Sequence, residues 1–173
     1  MRCTLFLCLS TALFLSACSP AAEPETKTAT DAPEAPAAAA DVHAGSWTLN
    51  VAKSTYTPGP APKSQTLKIE AWGADGLTYA ADGIAADDKP THAEFQAKFD
   101  GKDYEFKGNP DADTLSYKQI DANTLEATLK RKGEAAITAN VVVSPDGKTR
   151  TVTQTGKDAQ GRPVNIVSVY EKQ

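Results

Sequence analysis

The feature that most limits how this chain can fold is an alternation of apolar and polar residues that recurs from residue 47 to residue 143. In segment 92–99, for example, apolar residues occupy every odd position and polar residues every even one. Successive side chains of a β-strand point to opposite faces, so the pattern predicts strands with one buried and one solvated face. Eight segments share it: 47–51, 66–71, 77–81, 92–99, 103–107, 115–117, 124–130 and 137–143. A Thr-rich run at 148–155 and segment 164–170, which is apolar on both faces, bring the predicted strands to ten.

Short turn sequences separate these segments and favour an up-and-down meander. Turn residues recur in 73–76, 100–101, 109–111, 121–123, 132–133 and 145–147. Asp-Gly and Asn-containing pairs adopt the positive φ angles of tight hairpins, so strands that follow one another should pair. We therefore predict an all-β domain of about ten antiparallel strands. Closure into a barrel buries the apolar face and removes exposed edges; a two-layer sandwich or an open half-barrel is the alternative.

The N-terminal residues indicate export and lipid attachment. Arg2 precedes an apolar run that ends at residue 15 and is too short to cross a bilayer, which needs about 20 residues. Leu15-Ser16-Ala17-Cys18 closes the run and resembles the lipobox of bacterial lipoproteins. The resemblance implies that residues 1–17 are a signal peptide and that Cys18 carries acyl chains such as palmitate. It also implies a cell-envelope location facing the periplasm, and Ser19 after the cysteine favours the outer membrane.

Residues 18–41 are expected to be a lipidated cysteine followed by a disordered tether rich in Ala and Pro. The segment contains no large apolar residue, so burial cannot offset its ordering entropy. Residues 42–173 then form the β-barrel domain. Its seventeen acidic residues against sixteen basic ones leave a net charge of −1, without a basic stripe. Nucleic acid is therefore excluded as a partner class, whereas the membrane is an expected partner through the N-terminal lipid.

A short motif opens the first predicted strand. Gly45-Ser46-Trp47 resembles the G-x-W motif of the calycin superfamily, which includes lipocalins and fatty-acid-binding proteins. The resemblance implies that Gly45 and Trp47 form the floor of an up-and-down barrel, with a late-strand Arg or Lys over the indole. The final residues, Val169-Tyr170-Glu171-Lys172, are also similar to the end of fatty-acid-binding proteins.

Two departures from fatty-acid-binding proteins concern the ligand. Segment 58–62, which reads Pro-Gly-Pro-Ala-Pro, cannot form the helical lid that those proteins carry between their first two strands. Ser168 stands where they carry an arginine that holds the ligand carboxylate. The whole domain is also similar to a group of uncharacterised bacterial secreted or lipidated proteins, a likeness that implies no established activity.

No residue cluster predicts catalysis. The only histidines, His43 and His92, are expected to face solvent, one at the edge of the tether and one on a polar strand face. Asp111-Ala112-Asp113 lacks the alternating ligands of a calcium loop and is better explained by an Asx-type turn. We therefore expect no enzyme activity, no metal and no cofactor.

The apolar face of four consecutive strands is rich in aromatic residues, which are either simple core or the wall of an apolar pocket. Arg131 continues the inward positions of its strand and is a candidate anchor for an anionic ligand. The candidate lining residues are Tyr79, Phe95, Phe99, Tyr104, Phe106, Tyr117 and Arg131. We expect a lipid-anchored barrel that binds a small apolar or amphipathic ligand; an envelope protein-interaction or structural module without a ligand is the alternative.

Overall fold

The computed structural model of the chain describes residues 39–173. The predicted signal peptide, Cys18 and most of the predicted tether lie outside the described residues. A short helix and eleven strands follow one another in this order: α1 (Ala39–His43), β1 (Gly45–Leu49), a 3₁₀ turn (Val51–Lys53), β2 (Thr55–Thr57), β3 (Ser64–Ala71), β4 (Gly76–Ile84), β5 (Pro90–Lys98), β6 (Tyr104–Lys107), β7 (Thr114–Gln119), β8 (Thr124–Arg131), β9 (Glu134–Val143), β10 (Thr149–Lys157) and β11 (Pro163–Lys172).

Ten antiparallel strands close into one barrel. From β3 to β11 each strand pairs with the next along the chain, and β1 pairs with both β3 and β11. Trp47 lies opposite Leu67 on one side and opposite Lys172 on the other, so β1 joins the two ends of the meander. The prediction of an all-β, up-and-down, closed barrel is confirmed.

The additional strand β2 continues the path of β1 along β11. Leu49 pairs with Tyr170 and Thr55 pairs with Val167, so the two strands meet successive parts of the same partner. The 3₁₀ turn between them is capped by Asn50, whose side chain accepts a hydrogen bond from the Lys53 backbone N–H at 3.1 Å. Val51, which the alternation placed on the inner face, is instead exposed in this turn.

The inner face follows the predicted alternation along β1 and β3–β9. Buried apolar residues from β1, β3–β5, β7–β9 and β11 form one continuous core, against which the partly buried Val152 of β10 packs, and the outward positions between them are mostly polar. Trp72, whose orientation the sequence leaves undecided, lies exposed after β3, whereas Tyr170 faces the interior. The core therefore lies inside the barrel, and any internal cavity must be lined by these inward positions.

Helix α1 closes one end of the barrel. Ala39, Ala40 and His43 are buried, and the Trp47 indole donates a hydrogen bond to the His43 carbonyl at 3.2 Å. The Lys172 ammonium lies 5.0 Å from the centre of the Trp47 ring. A five-residue helix is too short to persist alone in water, so packing against the barrel stabilises it. Residues 39–41, which we expected in the tether, therefore belong to the folded domain.

None of the helices within residues 39–173 is both long and apolar enough to cross a membrane.

Candidate ligand-binding cavity

The barrel interior contains a partly open cavity of about 240 Å³. This volume exceeds the about 150 Å³ that suffices for benzene and is slightly below the range of about 300–1,000 Å³ typical of drug-sized ligands. The wall is mainly aromatic and aliphatic, and Pro62 and Asn109 from two connecting segments also line it. Its size therefore suits a small organic molecule.

Small inward side chains on neighbouring strands explain why the interior is not filled. Ala127 on β8 pairs directly with Ala139 on β9 and also with Tyr117 on β7. Ala93 contributes a third small side chain to the cavity wall. A ten-stranded barrel is wider than side chains of average size can fill, so alanine at these positions leaves a void. Inward alanines in the middle of strands are thus the sequence signal of the cavity.

Arg150 is the most unusual residue of the cavity wall. Its side chain points inward from β10, the residue is only 1% exposed, and its Nε atom has no hydrogen-bond partner among the described residues. The two other arginines of the described chain, Arg131 and Arg162, each contact an aspartate, but none of the ion pairs within residues 39–173 includes Arg150. An isolated buried charge costs several kcal/mol, so this residue is a strong candidate for a functional role.

The groups around Arg150 cannot neutralise it. Burial raises the pKa of Tyr79, Tyr117 and Tyr170, so these neighbours stay uncharged at neutral pH. Burial also lowers the pKa of Arg150, but a guanidinium titrates so far above neutrality that it keeps its charge. The cavity therefore presents one positive charge in an apolar and aromatic surrounding.

His43 lies next to Arg150. The prediction that it faces solvent is wrong, because helix α1, which carries it, packs against the closed end of the barrel. Its Nδ1 atom lies 2.9 Å from the Arg150 Nη1 atom. Because an arginine can only donate, Nδ1 accepts and the proton of the neutral imidazole resides on Nε2. That buried Nε2 atom has no partner within the described residues.

We expect the free energy of unfolding to fall as the pH is lowered below 6.5. Burial, and secondly the Arg150 charge, lower the pKa of His43 from 6.5 to about 3, while Asp121 acts in the opposite direction. Below pH 6.5 the unfolded chain binds a proton at His43 that the folded chain does not bind. The contribution of neutral His43 to the free energy of unfolding is therefore complete above pH 6.5, and about 2 kcal/mol of it is lost by pH 5. Urea unfolding at intervals between pH 5 and 7 measures this slope.

His43→Gln should flatten the slope, because glutamine does not titrate. The matched control is His92→Gln, since His92 is exposed and hydrogen-bonded to Asp82 at 2.7 Å. Asp82 and Glu94 raise the pKa of His92, so the contribution of His92 to the free energy of unfolding is lost as the pH rises above 6.5. An unchanged slope between pH 5 and 6.5 in His43→Gln would show that His43 is not buried in its neutral form.

Four of the predicted pocket residues lie around the cavity, namely Tyr79, Phe95, Phe106 and Tyr117. Tyr79 stacks on Phe95 with ring centres 4.5 Å apart, and Phe106 meets the Phe95 ring edge-on at 5.1 Å. Phe99 and Tyr104 are partly buried against the core but do not line the cavity. The Tyr104 hydroxyl instead donates to Asp100 at 3.2 Å.

Arg131 does not reach the cavity. Its Nε and Nη2 atoms donate to the Asp111 carbonyl oxygen at 3.0 and 2.7 Å, and Nη1 donates to the Asp158 carbonyl oxygen at 3.3 Å. It therefore ties the segment between β6 and β7 to the segment between β10 and β11. The inward arginine of the cavity is Arg150, which was not among the predicted pocket residues.

His92 and the segment that follows Asn109 lie as the sequence predicts. His92 faces solvent. The Asn109 side-chain oxygen accepts hydrogen bonds from the backbone N–H groups of Asp111 and Ala112, at 2.8 and 3.1 Å, which is an Asx-type turn. In residues 39–173 there is no group of three or more His, Cys, Asp or Glu side chains that could hold a metal ion.

Comparisons with known proteins give limited likenesses. No protein-family profile matches the chain, and no curated protein matches it. Among solved structures it is similar to a redesigned β-barrel, with 12% identity, a TM-score of 0.47 and coverage of 81% of this chain and 99% of that one. It is also similar to zebrafish ileal bile acid-binding protein complexed with cholic acid, with 14% identity, a TM-score of 0.47 and coverage of 76% and 99%.

A third similar structure is that of EF1p2_mFAP2b bound to DFHBI, with 14% identity, a TM-score of 0.45 and coverage of 79% of this chain and 98% of that one.

Proposed function

We propose that this protein is a lipid-anchored barrel of the cell envelope that binds a small amphipathic acid and performs no catalysis. The observation that carries the proposal is the buried Arg150 guanidinium, which has no carboxylate partner within residues 39–173 and lines a cavity of about 240 Å³. A bound carboxylate would supply the missing negative charge and accept the unused Nε–H. The aromatic and aliphatic wall would hold the apolar part of the same ligand.

The dimensions of the cavity support a short ligand. Arg150 lies on the same inward row of β10 as Val152 and Gln154, and this row rises about 13 Å over four residues. A medium-chain acid matches this depth, and the cavity volume lies slightly below the range of typical drug-sized ligands. Decanoate is therefore a suitable probe.

The first experiment identifies what the barrel binds. The mature chain with Cys18→Ser lacks only the expected lipid and can be incubated with a lipid extract, repurified and examined by mass spectrometry. We expect small acids to be enriched, at up to one molecule per protein. Recovery of neutral molecules alone, or of nothing above the level found with an unrelated protein, would contradict the proposal.

Attachment to the membrane is a separate part of the proposal and has its own test. Cys18→Ala should move the protein from the membrane fraction to the soluble fraction, because acyl chains at Cys18 are the proposed anchor. Intact-mass measurement of the unaltered protein should show the mass of the acyl groups.

The other two cysteines of the chain, Cys3 and Cys8, provide the control. Both lie in the segment proposed to be removed, so Cys8→Ala should leave fractionation unchanged. Membrane association that persists in Cys18→Ala would contradict attachment through this residue.

A further inference from the structure

A second polar group of the cavity wall lies above Arg150, on the neighbouring strands β2, β10 and β11. It consists of Tyr56, Gln154 and Ser168, here called the upper polar cluster, and all three residues line the cavity. The Tyr56 hydroxyl lies 3.0 Å from the Ser168 hydroxyl. The cavity thus has polar groups at two heights rather than at the floor alone.

The strand register gives the spacing between the two heights. Arg150 pairs with Tyr170, and the next inward pair of these strands contains Ser168, about 7 Å further along. Gln154 and Tyr56 both lie opposite Ile166, about 13 Å from the level of Arg150. Val152 and Phe95 are among the apolar residues that line the same cavity.

Gln154 is the member of the cluster with unused hydrogen-bonding capacity. The hydroxyls of Tyr56 and Ser168 bond to each other, and another cavity-lining pair, Tyr170 and Gln65, is joined by a hydrogen bond of 2.6 Å. Within residues 39–173, no hydrogen bond joins the half-buried Gln154 amide to another side chain. This amide can therefore bind a ligand group without first breaking a bond of the protein.

We infer that the ligand is a bipolar acid, with a carboxylate on Arg150 and a hydroxyl or carbonyl group at the upper polar cluster. This inference rests on the proposed function, because it takes the carboxylate site at Arg150 as given. The apolar segment between the two polar ends lies against the aromatic wall. Gln154 and Ser168 then determine specificity, since they distinguish a bipolar acid from a simple acid of equal length.

Two probes with the same ten-carbon chain test the inference, namely ω-hydroxydecanoate and decanoate, titrated calorimetrically into the mature chain with Cys18→Ser. A hydrogen bond between neutral groups contributes about 0.5–1.5 kcal/mol net, so the hydroxy acid should bind roughly threefold to tenfold more tightly. Gln154→Leu should reduce this preference to about one, because leucine keeps the size of the side chain but cannot hydrogen-bond.

The control for this substitution is Gln96→Leu, which makes the same change on the outer face of β5, where Gln96 is exposed. It should keep the preference. Ser168→Ala is a second, smaller substitution in the cluster that should also reduce the preference. Urea unfolding of Ser168→Ala and of Gln154→Leu measures their stability, so that a loss of folding is not mistaken for a loss of the binding preference.

Equal binding of the two probes to the unaltered cavity, or a preference that survives both cluster substitutions, would overturn the inference while leaving the anion-binding proposal intact. If neither probe binds, both proposals fail. A preference that is lost in Gln154→Leu and Ser168→Ala but kept in Gln96→Leu supports the bipolar ligand.

Discussion

Trp47→Ala should lower the free energy of unfolding by about 3–5 kcal/mol. The indole is completely buried at the closed end of the barrel, and Lys172 covers one face of the ring. The substitution leaves a large void and removes the hydrogen bond that the indole donates to His43 of helix α1. Because that bond helps hold the helix in place, part of the loss should come from detachment of α1 from the barrel.

The exposed Trp72 is the matched control, since the chain contains only these two tryptophans. Its ring is 37% exposed, so Trp72→Ala should change stability by less than about 1 kcal/mol. Urea unfolding followed by circular dichroism compares both variants with the parent. A loss below about 1 kcal/mol for Trp47→Ala would mean that the residue does not form the floor of the barrel.

Arg150→Met should weaken decanoate binding roughly 100-fold or more, because it removes the charge that pairs with the ligand carboxylate. The same substitution should keep the free energy of unfolding within about 2 kcal/mol of the parent. Removing a buried charge that has no carboxylate partner within the described part of the chain relieves a desolvation penalty, which offsets the lost hydrogen bond to His43. Calorimetric titration and urea unfolding on one protein preparation measure both effects.

Arg131→Met is the control and should have the opposite effect, namely a loss of stability with little change in decanoate affinity. Arg131 donates hydrogen bonds to backbone carbonyls of two connecting segments and does not line the cavity. Its loss should lower stability by about 1–3 kcal/mol and leave decanoate affinity within about threefold. A large stability loss without a binding loss in Arg150→Met would mean that Arg150 has a structural role only.

The alternation of apolar and polar residues, together with the short turns, predicted the antiparallel meander. It placed the inward positions of β1 and β3–β9 correctly, because a one-residue shift of a strand would expose its whole apolar face. Strands β10 and β11 lack a clear alternation, and their inward positions were not predicted. The interruption between β1 and β2 was not predicted. Val51 continues the apolar alternation of β1 but lies in a 3₁₀ turn whose Asn50 cap depends on its own local geometry.

The position of Arg150 in the cavity was not predicted, for a different reason. In β10 the odd positions from 149 to 155 are all threonine, so the even positions, including Arg150 and Gln154, must face inward. That pattern was available in the sequence, but a buried arginine contradicts the usual preference of charged residues for solvent. His43 could not be predicted, because its burial depends on the packing of α1 against strands that are distant in the chain.

The most direct test of the proposed binding site is a crystal structure of the mature chain with Cys18→Ser, grown with decanoate. We expect one molecule inside the barrel, with its carboxylate within about 3 Å of the Arg150 guanidinium and its chain along the aromatic wall. Decanoate found only on the outer surface, or a cavity that stays free of it at saturating concentration, would contradict the proposed function.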